Sequence, residues 1–359
     1  MRFNNNQKAF ISLLRAGLWE TEVQVSGLEP FDYTNVFHLA DNQAVIGIVT
    51  AGMEKISDVK VPKDKLFTFI GTSVQIETLN QSMNQFLGYL IDLLRKREIY
   101  TLLVKGQGIA QCYSRPLWRS CGDIDLLLSE ENYIKAKQVL TPLATNVERE
   151  YLLLKHLGMT INGFSVELHG SLRSRLTKRI DRGIDRVQDE CFLYGEVRSW
   201  MNDRTQIFLP APDQDVLFVF THILHHFFIE GIGLKQICDW IRLIWTFRDK
   251  IDARKIGRHL KDMGLLSEWR AFSALAVDWL GMPLEAMPLY SGERKWSKKA
   301  ILLLNRVLMY DSTTNKEESI IKTFANRTLD AFKMMRIFPV DAWKVYFGVL
   351  RSALIFRTE

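Results

Sequence analysis

The segment "GDIDLLL" places two carboxylates, Asp123 and Asp125, one residue apart at the head of an apolar run. Alternate residues of a strand point to the same face. The pattern therefore predicts a strand with both aspartates on one side and Ile124 turned into a core. Two carboxylates that close repel, and neither stays ionised cheaply when buried. A divalent cation removes the penalty, and Mg²⁺ takes one or two carboxylates together with phosphate oxygens and water. The pair reads as a metal site at the end of a strand.

Neighbouring segments supply the rest of a site. "YTLLVK" reads as a strand that ends at Gly106, where a short helix begins. A glycine between strand and helix lets a phosphate approach the backbone, and the helix start offers amide donors. Lys105 and Arg119 add cations. "HLGMTING" and "FSVELHG" read as a hairpin turned at Asn162 and Gly163. Glu167 alternates with Val166 and Leu168, so a strand laid beside "DIDLLL" brings Glu167 to the aspartates. His169 shares the face of Glu167.

Around this centre the texture is helical. Phe10, Leu13, Leu14 and Leu18 recur at helical spacing, as do Val36, Phe37, Ala40, Ala44, Ile48 and Ala51. Leu79, Met83, Phe86, Leu87, Leu90, Ile91 and Leu94 predict one long helix over residues 73–96. Ser129 is the expected N-cap of a helix over "SEENYIKAKQVL". Mixed loop and strand are expected from there to "QIFLPAP". Asp213 is the expected N-cap of a helix over "DQDVLFVFTHILHHFFIE", and "GLKQICDWIRLIWTF" follows as another. The expected organisation is a helical region over residues 1–98, an α/β core over 99–211 and a helical domain over 212–359.

The turn, the D-x-D strand and the later carboxylate strand resemble the DNA polymerase beta-type nucleotidyltransferase superfamily. "KGQGIAQCYSRPLWRSCGDIDLLL" followed by "VELHG" is similar to its bacterial branch of uncharacterised nucleotidyltransferases. The resemblance implies an α+β fold, a small mixed-sheet core flanked by helices. It implies transfer of NMP from an NTP such as ATP to an acceptor, with loss of pyrophosphate. Asp123, Asp125 and Glu167 would be catalytic and would hold two Mg²⁺ ions. Lys105, Gly106, Gln107 and Arg119 would bind the nucleotide. His169, His222, His226 and Asp239 would stand on the acceptor side. Gln107 departs from the Ser or Gly of the family's turn, which keeps a non-catalytic nucleotide-binding or interaction module as the alternative.

Other features narrow the reading. "THILHH" sets His222, His225 and His226 on one helix, but Ile223 stands where a zinc protease motif has glutamate. The four cysteines lack metal or disulfide spacing and are expected to be reduced thiols. Net charge is +6, without a long basic run, which fits an anionic substrate better than long nucleic acid. The acceptor expected is a small molecule, sugar, protein or RNA. No apolar run is long enough to span a bilayer, and the start does not read as a signal peptide. A cytosolic protein without membrane association is expected. The C-terminal stretch with Lys333, Arg336, Lys344 and Arg351 reads as packing helix, with a basic membrane- or partner-facing surface as the alternative.

Overall fold

The computed structural model describes residues 3–28, 30–310, 334–339 and 342–343. The fold is α+β. Four helices lead: α1 (Asn5–Trp19), α2 (Tyr33–Asn42), α3 (Ile46–Met53) and α4 (Lys63–Arg95). The periodicity over 36–51 suggests one helix, but Ala44 takes a φ of +53° and breaks it into α2 and α3. The long helix begins at Lys63, well before Ser73, because Pro62 can end the preceding loop and Asp64 favours the first turn. At 33 residues α4 spans about 50 Å.

The core sheet has the order β1-β2-β5-β4-β3. Its strands are β1 (Leu102–Val104), β2 (Asp123–Leu127), β3 (Asn146–Val147), β4 (His156–Ile161) and β5 (Phe164–His169). The short helix α5 (Gly106–Ala110) follows β1, and α6 (Glu130–Leu140) follows β2 with Ser129 as its N-cap. The Asn162–Gly163 turn has both residues at positive φ, as a tight hairpin requires. β2 and β5 run parallel, with Asp125 paired to Glu167.

Residues 178–193 form a helix, α7 (Lys178–Leu193), where only loop and strand were expected. Its buried Ile180, Ile184, Val187 and Cys191 do follow helical spacing, but polar residues outnumber them and hide the stripe. β6 (Val197–Asn202) and β7 (Thr205–Pro210) form a separate hairpin. Then come α8 (Pro212–His225), α9 (Leu234–Thr246), α10 (Ala253–Met263), α11 (Leu266–Ala274) and α12 (Arg294–Leu308). Asp213 is not the cap of α8. Ala211 holds that place, Pro212 fills the first turn, and the Asp213 carboxylate accepts from the Asp252 amide instead.

Strand alternation divides the interior. Ile124, Leu126, Val166 and Leu168 pack with the C-terminal half of α4 and with α6 in one core. The opposite face joins the larger core, which contains α1–α3 and α8–α12 together. Trp240 is fully buried there against Phe220 and Trp269. The four cysteines are free thiols. Among the described residues no helix is long and apolar enough to cross a membrane. Lys333, Lys344 and Arg351 of the C-terminal stretch lie outside the described residues, while Met334, Ile337, Phe338 and Ala342 are buried in the larger core.

Helices α1 and α3 meet at glycines. A Cβ on Gly52 would lie 1.9 Å from the carbonyl oxygen of Leu13, and one on Gly17 1.8 Å from that of Ile48. Gly52→Ala is expected to lower stability by roughly 1–3 kcal/mol or more, as overpacking a closed contact does. Chemical denaturation checks this; an unchanged midpoint would mean that the two helices can separate freely.

Candidate active site

The parallel pairing of β2 and β5 assembles the carboxylates. Asp123 and Asp125 project from β2, and Glu167 lies directly beside Asp125. One oxygen from each of the three falls within 4.8 Å of the others. They line a cleft of about 600 Å³ between the sheet and helices α8 and α9.

Each carboxylate has a different environment. Asp125 is buried, and its Oδ1 meets Lys105 Nζ at 2.7 Å and His169 Nε2 at 2.9 Å. Burial opposes its charge, but Lys105 and then His169 hold its pKa below the ordinary value. Glu167 is likewise opposed by burial and held far below the carboxylate range by His156 and His169. Asp123 is pushed up, first by burial and then by Asp125. No hydrogen bond or ion pair reaches its side chain among the described residues. A carboxylate in that condition beside two others is a donor set that a divalent cation would complete.

Lys105 is fixed by its backbone. Its φ of +60° with ψ of −146° is rare for a side-chain-bearing residue, and Gly106 follows at φ +41°. This bend between β1 and α5 turns the ammonium onto Asp125. Burial works against the charge on Lys105, yet Asp125 raises its pKa above the usual lysine value.

The structure separates the remaining expected site residues. Gln107 does not line the cleft: it is buried and donates to Asn80 Oδ1, while Asn80 donates to the carbonyls of Leu117 and Arg119. Its amide therefore fastens the turn to α4, and its side chain is not placed to meet a triphosphate. Arg119 and Asp239 do line the cleft, but they hold each other. The guanidinium makes a two-pronged contact with the Asp239 carboxylate, Nε to Oδ1 at 3.0 Å, and Tyr113 donates to the same oxygen at 2.8 Å. That buried pair ties the loop before β2 to α9.

His222, His225 and His226 face the cleft from α8 and the π-helical turn after it. His222 Nε2 lies 3.0 Å from His226 Nε2, and His226 Nδ1 lies 2.8 Å from a Glu230 oxygen. Burial, then Lys105, lowers the pKa of His222 well below the usual value, so the ring is neutral.

Among the cleft residues that escaped the sequence reading are His156 and Lys235. His156 pairs with His169 across the hairpin, and its Nε2 lies 3.2 Å from Glu167 Oε2. The Asn162–Gly163 turn fixes that register, so the position was available from the sequence. Lys235 lines the cleft from the first turn of α9, one helical turn before Asp239. Burial, then Arg119, lowers its pKa below the lysine norm.

A model of the family described as uncharacterised nucleotidyltransferase matches residues 29–281, well over half of the chain. The protein belongs to that family. No curated protein and no solved structure matches it.

The two aspartates should respond differently to neutralisation. Asp123 is more readily protonated folded than unfolded, so its charge costs stability as pH rises through and above the unfolded value. Asp123→Asn should therefore be as stable as the parent or more so at neutral pH without metal, with the gap closing in acid. Asp125→Asn strands Lys105, leaves His169 only its longer contact with Glu167, and should lose stability, on the order of 3 kcal/mol. Thermal unfolding of both variants checks the order; the reverse order would contradict this electrostatic picture.

Proposed function

We propose that the protein is a polymerase beta-type nucleotidyltransferase that transfers NMP from an NTP to a hydroxyl-bearing acceptor. The observation that carries this is the convergence of Asp123, Asp125 and Glu167 from adjacent parallel strands at the wall of one cleft. The acceptor oxygen bonds to the α-phosphorus, the bond from that phosphorus to the bridging β-oxygen breaks, and pyrophosphate leaves with the electron pair. Asp123, Asp125 and Glu167 would hold the divalent cations, with Mg²⁺ the hard, oxygen-seeking choice. When bound, such ions neutralise charge on the attacking and leaving oxygens.

The chain's own groups take the remaining roles. Lys105 and Lys235 are the cations of this wall suited to the triphosphate, and Gly106 lets phosphate approach the turn. Glu167, held ionised, would help to draw off the acceptor's proton on its way to solvent, as a weak base, since its pKa and that of His222 are both lowered. His226, braced by Glu230, stands beside His222 on the acceptor side, and His169 positions Asp125 and Glu167. Arg119 and Asp239 act by holding the cleft walls together.

One observation favours a second reading. Asp125 is already matched by Lys105 and His169, and Gln107 is committed to Asn80. A protein so arranged could bind NTP without turning it over.

Pyrophosphate release with each NTP and Mg²⁺ over a panel of alcohol, sugar, protein and RNA acceptors separates the two. Turnover is expected, and Asp123→Asn should reduce it roughly 100-fold or more, the scale of losing one preorganised transition-state contact. Nucleotide binding with no pyrophosphate from any acceptor would favour the second reading. Release that survives Asp123→Asn would overturn the site.

A further inference from the structure

Beside the three carboxylates stands a second donor set of different chemistry. His156 Nε2 and His169 Nε2 lie 3.2 and 3.3 Å from the same oxygen, Glu167 Oε2, and the three ligand atoms fall within 4.8 Å of one another. Both histidines and the glutamate come from one hairpin whose register places His156 opposite His169. Gly158, opposite Glu167, carries no side chain, and the carboxylate of Glu148 occupies the space a Cβ there would take.

We propose that His156, Glu167 and His169 form a site for a borderline divalent cation of the Zn²⁺ or Co²⁺ class, sharing Glu167 with the carboxylate set. Two lines of geometry support it. Charge-assisted nitrogen–oxygen bonds usually close to about 2.7–2.9 Å. The contacts to Glu167 lie at the long end of hydrogen bonding and equally match the separation of two donors that each sit about 2.0–2.1 Å from one tetrahedral ion, while the shorter contact of His169 Nε2, 2.9 Å, is to Asp125, a partner that an ion at Nε2 would replace. The rings are also held in place. His156 is stacked between Tyr151 and His169, with ring centroids 5.9 and 4.8 Å away, so few rotamers remain to be lost on binding. Two imidazoles and one carboxylate select borderline ions, whereas the neighbouring all-oxygen set suits Mg²⁺. The cleft thus carries two adjoining sites with opposite preferences. This inference does not depend on nucleotidyl transfer, and it is tested without nucleotide.

The test is titration of Co²⁺ into the full metal-free chain, read by visible d–d absorption, with Zn²⁺ and Mg²⁺ as competitors. A band should grow to saturation, Zn²⁺ should displace it, and excess Mg²⁺ should not. His156→Ala and His156→Phe, the second keeping the ring stack, should each weaken Co²⁺ binding at least about tenfold, the lower bound set by losses of mere outer-sphere partners. Asp123→Asn should keep the band, and so should His226→Gln, which probes the other histidine cluster. The proposal is overturned by a parent protein that gives no band, by a band that survives both His156 variants, or by one that Mg²⁺ or His226→Gln removes.

Discussion

Everything around the cleft answers one electrostatic constraint: three carboxylates brought onto one face of two adjacent parallel strands. The opposite face cannot share the charge, because Ile124, Leu126, Val166 and Leu168 are buried in hydrocarbon. Compensation therefore comes from the same side. A strained backbone aims Lys105 at Asp125, and the next strand of the hairpin adds His156 to His169 at Glu167. Asp123 feels Lys105 and Lys235 only at a distance, burial and Asp125 outweigh them, and it is left as the one of the three whose charge is least stable. A protein built only for stability gains nothing from that arrangement, since replacing such a group with a neutral one relieves it. It makes sense as a seat for a cation.

The site is only half built by the sheet. Its far wall comes from α8, the π-helical turn and α9, and the near wall is locked to it through the buried Arg119–Asp239 pair with Tyr113. The turn after β1 is anchored from behind, through Gln107 and Asn80, to the long helix α4. Helix α4 itself enters both cores, with Phe69 in the larger and Met83 to Leu94 in the smaller. The described residues of the first hundred thus set the position of the turn without themselves lining the cleft. The departure at position 107 has a physical reason here: a glycine or serine could not reach Asn80.

Local chemistry was legible in the sequence where period and turn signals were clean. Strand alternation predicted the shared face of Asp123, Asp125 and Glu167, and the Asn162–Gly163 turn predicted the hairpin. The glycine after β1 marked the bend. What stayed hidden were pairings between distant segments. Nothing in the pattern says that Arg119 will choose Asp239 rather than Asp123, because that depends on where α9 docks. Helix α7 was hidden by its polar majority, and the break between α2 and α3 by an alanine that takes an unusual φ. His156 was a missed inference rather than a hidden one, since the hairpin register already set it across from His169. The family match across residues 29–281 agrees with the motif-based reading of a nucleotidyltransferase core.

The central claim is that Asp123, Asp125 and Glu167 form a cation-dependent nucleotide site. Thermal unfolding of the full chain with each NTP, with and without Mg²⁺, tests it most directly. A ligand at about 100 times its dissociation constant adds roughly 2.7 kcal/mol of stability, enough to move the melting temperature visibly. The account predicts a shift that requires NTP and Mg²⁺ together and that disappears in Asp123→Asn, while that variant's own unfolding stays intact. A shift that ignores Mg²⁺ or persists in Asp123→Asn would contradict it, as would no shift with any nucleotide.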